Sequence, residues 1–235
     1  MIKLDPAVLA ELRKLDTPTV CNALEVVAPE RRGYGFTTRP LVCVRPQLPS
    51  MVGYARTATI RAAHPSARNG KAMQAHMDAY YAYIAEGGQH PSMMLIQDLD
   101  GAQHAYGSFW GEVNSHLHRG LGAVGCVTDG SVRDLNDIAE GFQILADRVG
   151  PSHAFVHVVT FGLPVNVSGM GATHDDLIHA DQHGAVVIPI DVAEKVTVAA
   201  AAIARRERVL ISASKEPGFD LQRLRKAIAD SSEIH

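Results

Sequence analysis

The sequence predicts an α/β protein, and three patterns carry that reading. Two short apolar runs, Met93–Gln97 and Gly122–Thr128, bracket a helical stretch from Gly111 to Arg119, which makes a strand-helix-strand unit. Past Gly150-Pro151 the pattern changes to short strands with close turns at 154–159, 164–167, 176–180 and 185–189. Helical periodicity occupies both ends of the chain.

Taken in order, Val8, Leu9, Leu12 and Leu15 recur at helical spacing between Pro6 and Leu15, and Thr17-Pro18 opens a second helix through Val20, Leu24 and Val27. Glycines and prolines interrupt the pattern from Arg31 to Pro49, after which Gly53–Ile60 alternates as a strand rich in β-branched residues. Residues 64–92 read as a helical insertion: Met73, Met77, Tyr80, Tyr81 and Ile84 share a face, and Gly87-Gly88 and Pro91 end it. A Met and Tyr stripe of this kind is expected to pack over an apolar surface, since Met fills irregular gaps. After Gly122–Thr128, Asp129-Gly130 leads into an expected helix running to about Glu140, with Ser131-x-x-Asp134 as its capping box. Residues 191–235 complete the chain with C-terminal helices: an alanine-rich one over about 192–206 and, past the Pro217-Gly218 break, a short one near 221–229. No repeat, low-complexity tract or long linker divides the chain, so residues 1–235 are expected to form one domain.

Composition narrows the function classes. With 46% hydrophobic and 20% charged residues the chain is an ordinary globular one. A net charge of -3 and a pI near 6.4 offer no broad basic field, which argues against nucleic acid as a partner. Three widely spaced cysteines, Cys21, Cys43 and Cys126, form neither a zinc pattern nor a disulfide framework, and a reducing cytoplasm suits them. No apolar run approaches the eighteen or so residues of a membrane span. The twelve histidines suggest no metal cluster; His116 and His118, two apart on a helix, point to different faces.

The chemistry concentrates at two turns. Gly111-Glu112-Val113-Asn114 opens a helix, whose unpaired N–H groups and positive dipole end can receive a carboxylate, while glycine permits close approach. The plain alternative for Glu112 is dipole complementation worth about 0.3–1 kcal/mol. At the second turn a capping box accounts for Ser131 and Asp134 but leaves Arg133 unexplained, directly after an apolar strand where α/β scaffolds carry function. Residues 113–132 separate Glu112 from Arg133, a Glu-x20-Arg-Asp spacing.

On these residues the chain resembles the RraA-like family, which includes the regulator of ribonuclease activity A and the metal-dependent aldolases for 4-hydroxy-4-methyl-2-oxoglutarate and 4-carboxy-4-hydroxy-2-oxoadipate. The likeness extends to Thr17–Leu24, Met51–Gly53 and Asp176–Pro189. It implies a swivelling β/β/α three-layer fold and a homotrimer or hexamer with the pocket close to a subunit boundary. In the aldolase members, the resemblance implies that Asp134 holds Mg²⁺ or Mn²⁺, Arg133 contacts the pyruvyl group and Glu112 organises metal-bound water. The substrate carboxylate would then lie on the backbone amides of Val113 and Asn114, beside Gly111. The expected activity is cleavage of a 4-hydroxy-2-oxo acid to pyruvate and a carbonyl product, with oxaloacetate decarboxylation as companion. A lysine Schiff base is the rival chemistry, but Lys3, Lys14, Lys71, Lys195, Lys215 and Lys226 all lie outside both turns. Two other readings stay open: a non-catalytic ribonuclease regulator, whose members lose the acid after the arginine, and a metal-dependent lyase or hydratase of another 2-oxo or sugar acid. Asn22 stands where family members often carry Asp.

Overall fold

The computed structural model describes residues 4–234. Helices α1 (Pro6–Leu12) and α2 (Thr17–Val27) open the chain, each with proline in its first turn and an aspartate cap, Asp5 accepting from Ala7 N–H and Asp16 from Thr19 N–H. Strands β1 (Val42–Cys43) and β2 (Met51–Arg61) follow, then α3 (Gly70–Glu86), capped by Asn69, and β3 (Ser92–Asp98). Next come β4 (Ser108–Trp110), α4 (Glu112–Gly120), β5 (Ala123–Thr128), β6 (Ser131–Val132), β7 (Gln143–Ala146) and β8 (Arg148–Val149). The β-rich segment supplies β9 (His157–Phe161), β10 (Val165–Val167), β11 (Met170–Ala172), β12 (Leu177–Asp181) and β13 (Gly184–Ile188). Helices α5 (Ala193–Ser214) and α6 (Leu221–Ser232) end the fold, both running further than their apolar spacing predicts.

The main sheet has the order β1-β7-β5-β3-β2-β12-β13. Strands β2, β3, β5 and β7 are parallel, and β1, β12 and β13 are antiparallel additions at the two edges. One edge of the long β2 is shared: β12 pairs with Met51–Tyr54 and β9 with Ala58–Arg61. Two smaller sheets stand apart, the hairpin β10-β11 and the parallel trio β4-β6-β8.

The parallel strands are buried on both faces, so they read as continuous apolar runs rather than as alternation. Side-chain parity sorts them. Met51, Ala55, Met93, Leu95, Val127 and Leu145 face the β10-β11 hairpin. On the other face Met94, Ile96, Cys126 and Ile144 pack with Tyr80 and Ile84 of α3, as the Met and Tyr stripe predicted. Val52 and Tyr54 of β2 join Val20, Leu24, Val196 and Ala200 beneath the terminal helices.

Arg56 lies between those two helical layers, on the β2 face shared by Tyr54 and Ala58. It is fully buried and paired with Asp175 at 2.6 Å, and its second terminal nitrogen donates to the Gln89 carbonyl at 2.7 Å. Asp175 also receives Gln89 N–H, so the chain leaving α3 is tied to the approach to β12. Asp175→Ala should cost about 3–5 kcal/mol in urea unfolding, because it strands a buried charge. Pairing it with Arg56→Met should recover much of that loss.

Candidate active site

Strands β4 and β6 run parallel, with Ser108 opposite Ser131 and Trp110 opposite Val132. The Ser108 and Ser131 hydroxyls meet at 2.9 Å, and Arg133 N–H donates to the Trp110 carbonyl at 2.9 Å. That pairing delivers Gly111–Glu112 and Arg133–Asp134 side by side. Glu112 N–H, at the start of α4, donates to Asp134 Oδ2 at 3.3 Å, and Arg133 Nε lies 3.4 Å from the same oxygen. A Cβ on Gly111 would sit 2.5 Å from Asp134 Oδ2 and 3.2 Å from Arg133 Cγ. Glycine here lets the Asp134 carboxylate rest over its Cα, and any larger residue would push that side chain aside.

The expected helix over 131–140 is absent, and with it the capping box. Ser131 is buried in β6 bonding Ser108, and Asp134 sits at φ 53°, a left-handed conformation that ends any helix begun at Ser131. Pairing on both sides of β6 decides this: Val132 lies between Trp110 and Val149, and its carbonyl receives Gly150 N–H. The turn that follows wraps α4, where Ser115 Oγ accepts Ala139 N–H and donates to the Glu112 carbonyl.

The first turn does open a helix. Glu112 and Val113 are exposed, Gly111 is buried and Asn114 is half-buried. The Asn114 side chain donates to the Phe109 carbonyl at 2.6 Å, which turns it back towards β4, while its main-chain N–H stays in the first turn of α4. His116 is turned back on the Glu112 carbonyl. Asn22 is exposed on α2, in the layer beneath the terminal helices.

The structure adds residues that spacing did not reveal. Asp98, at the end of β3, accepts Asp100 N–H and Ala105 N–H, while Asp129 accepts Asp98 N–H at 2.7 Å and faces Arg39 at 3.2 Å. Burial pushes both carboxyls up. Together they shape the loop that carries the chain into β4. Beneath α4, His118 is fully buried; Nε2 meets the Tyr80 hydroxyl at 2.9 Å and Nδ1 meets the Asn114 carbonyl at 2.6 Å. Burial lowers the His118 pKa to about 4, against the opposing effect of the Asn114 bond. The only available signals were the Asp129-Gly130 turn and the position of His118 on the site helix.

A cavity of about 920 Å³ lies at the amino ends of the parallel strands, between α1 and the Pro46–Pro49 loop. Prolines and aliphatic side chains line it together with Arg13, Lys14, Asp16 and Asp181, and none of residues 111–114, 133 or 134 faces it. The polar constellation instead follows the carboxyl end of β5, where open α/β sheets bind ligands.

His118 makes stability depend on pH with a definite sign. Its pKa is about 6.5 unfolded and about 4 folded, so in that window the unfolded state holds the extra proton. Stability should fall as pH drops from 6.5 towards 4, by on the order of 3 kcal/mol in total. Urea midpoints measured across this range for wild type and His118→Gln should show a shallower acid decline in the variant.

Comparisons with known proteins agree on the fold. The family model RraA-like: Aldolase/RraA matches residues 17–187. An uncharacterised protein from Pseudomonas syringae pv. tomato str. DC3000 superimposes with a TM-score of 0.69 at 21% identity, covering 97% of this chain and 99% of its own. Streptomyces coelicolor RraAS2, described as an unusual member of the RNase ES inhibitor RraA protein family, gives 0.67 at 20% identity over 88% of this chain and 97% of its own. A structure described among novel cellulases from microbes associated with the gut ecosystem gives 0.70 at 17% identity, with 88% of each chain covered. No curated protein matches the chain by sequence. No helix among the described residues is long and apolar enough to cross a membrane. With its strand-helix core matched from Thr17 to Val187, the chain belongs to the RraA-like family.

Proposed function

We propose that this chain is a divalent-metal-dependent carbon-carbon lyase that cleaves a 4-hydroxy-2-oxo acid to pyruvate and a carbonyl product, and that also decarboxylates oxaloacetate. The observation that carries this reading is the meeting of Asp134, Arg133 and the amino end of α4 over Gly111. The family includes both aldolases and ribonuclease regulators, and retention of the acid after Arg133 favours the aldolase branch.

The donor set fits Mg²⁺ or Mn²⁺. Such hard cations keep several waters and take one or two protein carboxylates. The Asp134 side chain is 37% exposed, and its Oδ2 is engaged by the Glu112 amide and Arg133, which leaves Oδ1 as the donor a cation would use. Among the described residues no three or more His, Cys, Asp or Glu side chains gather at one point, this site included, so a cation here would rely on the Asp134 carboxylate with water and substrate oxygens completing its shell. When bound, the cation supplies charge stabilisation to the oxygens of a 2-oxo acid.

The chain's own groups divide the remaining work. The substrate carboxylate lies on the N–H groups of Val113 and Asn114, favoured by the α4 dipole. Glu112 takes the proton of the 4-hydroxyl, through water, as the C3–C4 bond breaks and C4 becomes the carbonyl carbon. The C3–C4 electron pair moves onto pyruvate as its enolate, and Arg133 stabilises the charge gathering on the C2 oxygen. The proton taken from the 4-hydroxyl is returned from Glu112 through water to C3, which releases pyruvate and restores the Glu112 carboxylate.

Pyruvate release, followed with a coupled dehydrogenase over a panel of 4-hydroxy-2-oxo acids and oxaloacetate, should depend on Mg²⁺ or Mn²⁺ and stop with chelator. No metal-dependent pyruvate from any substrate would rule the lyase out and leave a binding role. Arg133→Ala and Asp134→Ala should each lower turnover at least 10²–10³-fold, the scale of losing a preorganised charge-stabilising group, with the fold retained and Asp134→Ala losing only about 1–2 kcal/mol in urea unfolding for alanine at a left-handed position. Gly111→Ala should cost roughly 10²-fold by displacing the Asp134 carboxylate, again with the fold intact.

A further inference from the structure

We infer that His118 is a positioning residue, which transmits the placement of α3 to the backbone amides at the start of α4. The inference deepens the lyase reading and rests on it for what those amides bind. It starts from the acceptor at Nδ1. The Asn114 oxygen is a main-chain carbonyl that cannot donate, so the 2.6 Å contact requires the proton on Nδ1. A neutral ring then offers Nε2 as acceptor, and the Tyr80 hydroxyl, 2.9 Å away, is its donor. Both states are secured by burial: the ring resists protonation, and the phenol is held well above its ordinary pKa and keeps its proton.

The relay runs through named atoms. Tyr80 of α3 orients His118, and His118 holds the Asn114 carbonyl. The Asn114 side chain in turn grips the Phe109 carbonyl of β4. Asn114 is thus fixed from two directions, while its N–H is one of the two assigned to the substrate carboxylate. Rings enclose the histidine on several sides: Trp110 at 4.7 Å, Tyr80 at 5.6 Å, Phe109 at 5.9 Å and Tyr81 at 6.1 Å between centroids. The α3 helix therefore acts on the site through a hydrogen-bonded chain, although it contributes none of the proposed reacting groups.

Two measurements test this. The first needs no turnover. In ¹⁵N-labelled protein at neutral pH the His118 ring nitrogens should show the Nδ1–H tautomer, and Tyr80→Phe should move the Val113 and Asn114 amide resonances. An Nε2–H tautomer, or unmoved Val113 and Asn114 amides, overturns the inference whatever the site's chemistry. The second is kinetic. His118→Asn keeps a donor near the Nδ1 position and His118→Gln does not. The Gln variant should therefore raise KM for the 2-oxo acid 5- to 20-fold with kcat within threefold, and Asn should restore KM to within threefold. Equal KM in both, or a loss confined to kcat, refutes the positioning role. If either variant fails to fold, Tyr80→Phe, which keeps the ring volume, supplies the same KM comparison. A wild-type protein that releases no pyruvate removes the lyase reading alone, and the tautomer and amide shifts still decide the role of His118.

Discussion

The 2.9 Å bond from Arg133 N–H to the Trp110 carbonyl is the constraint on which the candidate site depends. It extends the parallel pairing of β4 and β6 one residue past the end of β6, and so brings together two segments separated by twenty residues in sequence. Side-chain bonds reinforce it, from the Ser108–Ser131 hydroxyl pair below to the Glu112 amide and Asp134 carboxylate above. Asp134 adopts its left-handed backbone only because the chain on both sides is held. Gly111 leaves the volume into which the carboxylate settles.

That small parallel trio rests on the larger sheet. The apolar rows of β3 and β5 anchor the strands whose carboxyl ends turn into the Asp98 and Asp129 loops, and those loops set where β4 and β6 begin. Buried Arg56 divides the two helical layers on the other face. A buried ion pair is weak evidence for net stability, because desolvation offsets most of the attraction. Its geometric effect is clear: Arg56 and Asp175 join β2, the end of α3 and the approach to β12 at one point.

The family core runs from Thr17 to Val187, so α1, α5 and α6 lie outside it. These outer helices are not loose attachments. Leu12 of α1 and Val196 and Ala200 of α5 pack with Val52 and Tyr54 of the central strand β2. His179 of β12 bonds the Leu12 carbonyl and the Thr17 hydroxyl, which fixes the junction between α1 and α2. Within the core, α3 covers the sheet with its Met and Tyr face and reaches the site helix through Tyr80 and His118.

The sequence by itself determined most of the elements. Apolar periodicity located α2 and α3, alternation located β2, continuous apolar runs located β3 and β5 with α4 between them, and the acid-x20-Arg-Asp spacing picked out residues that meet at the site. It misread 131–140 as a helix, because Asp129-Gly130 looks like an entry turn and Ser131-x-x-Asp134 matches a capping box. The tertiary structure decided otherwise: neighbouring strands satisfy the backbone of 131–133, and Asp134 turns to face Glu112. The Tyr80–His118–Asn114 chain was equally hidden, since it joins residues from two helices and its meaning depends on burial. Local propensity is written in the spacing of residues, whereas strand partners and buried hydrogen bonds exist only once distant segments have packed.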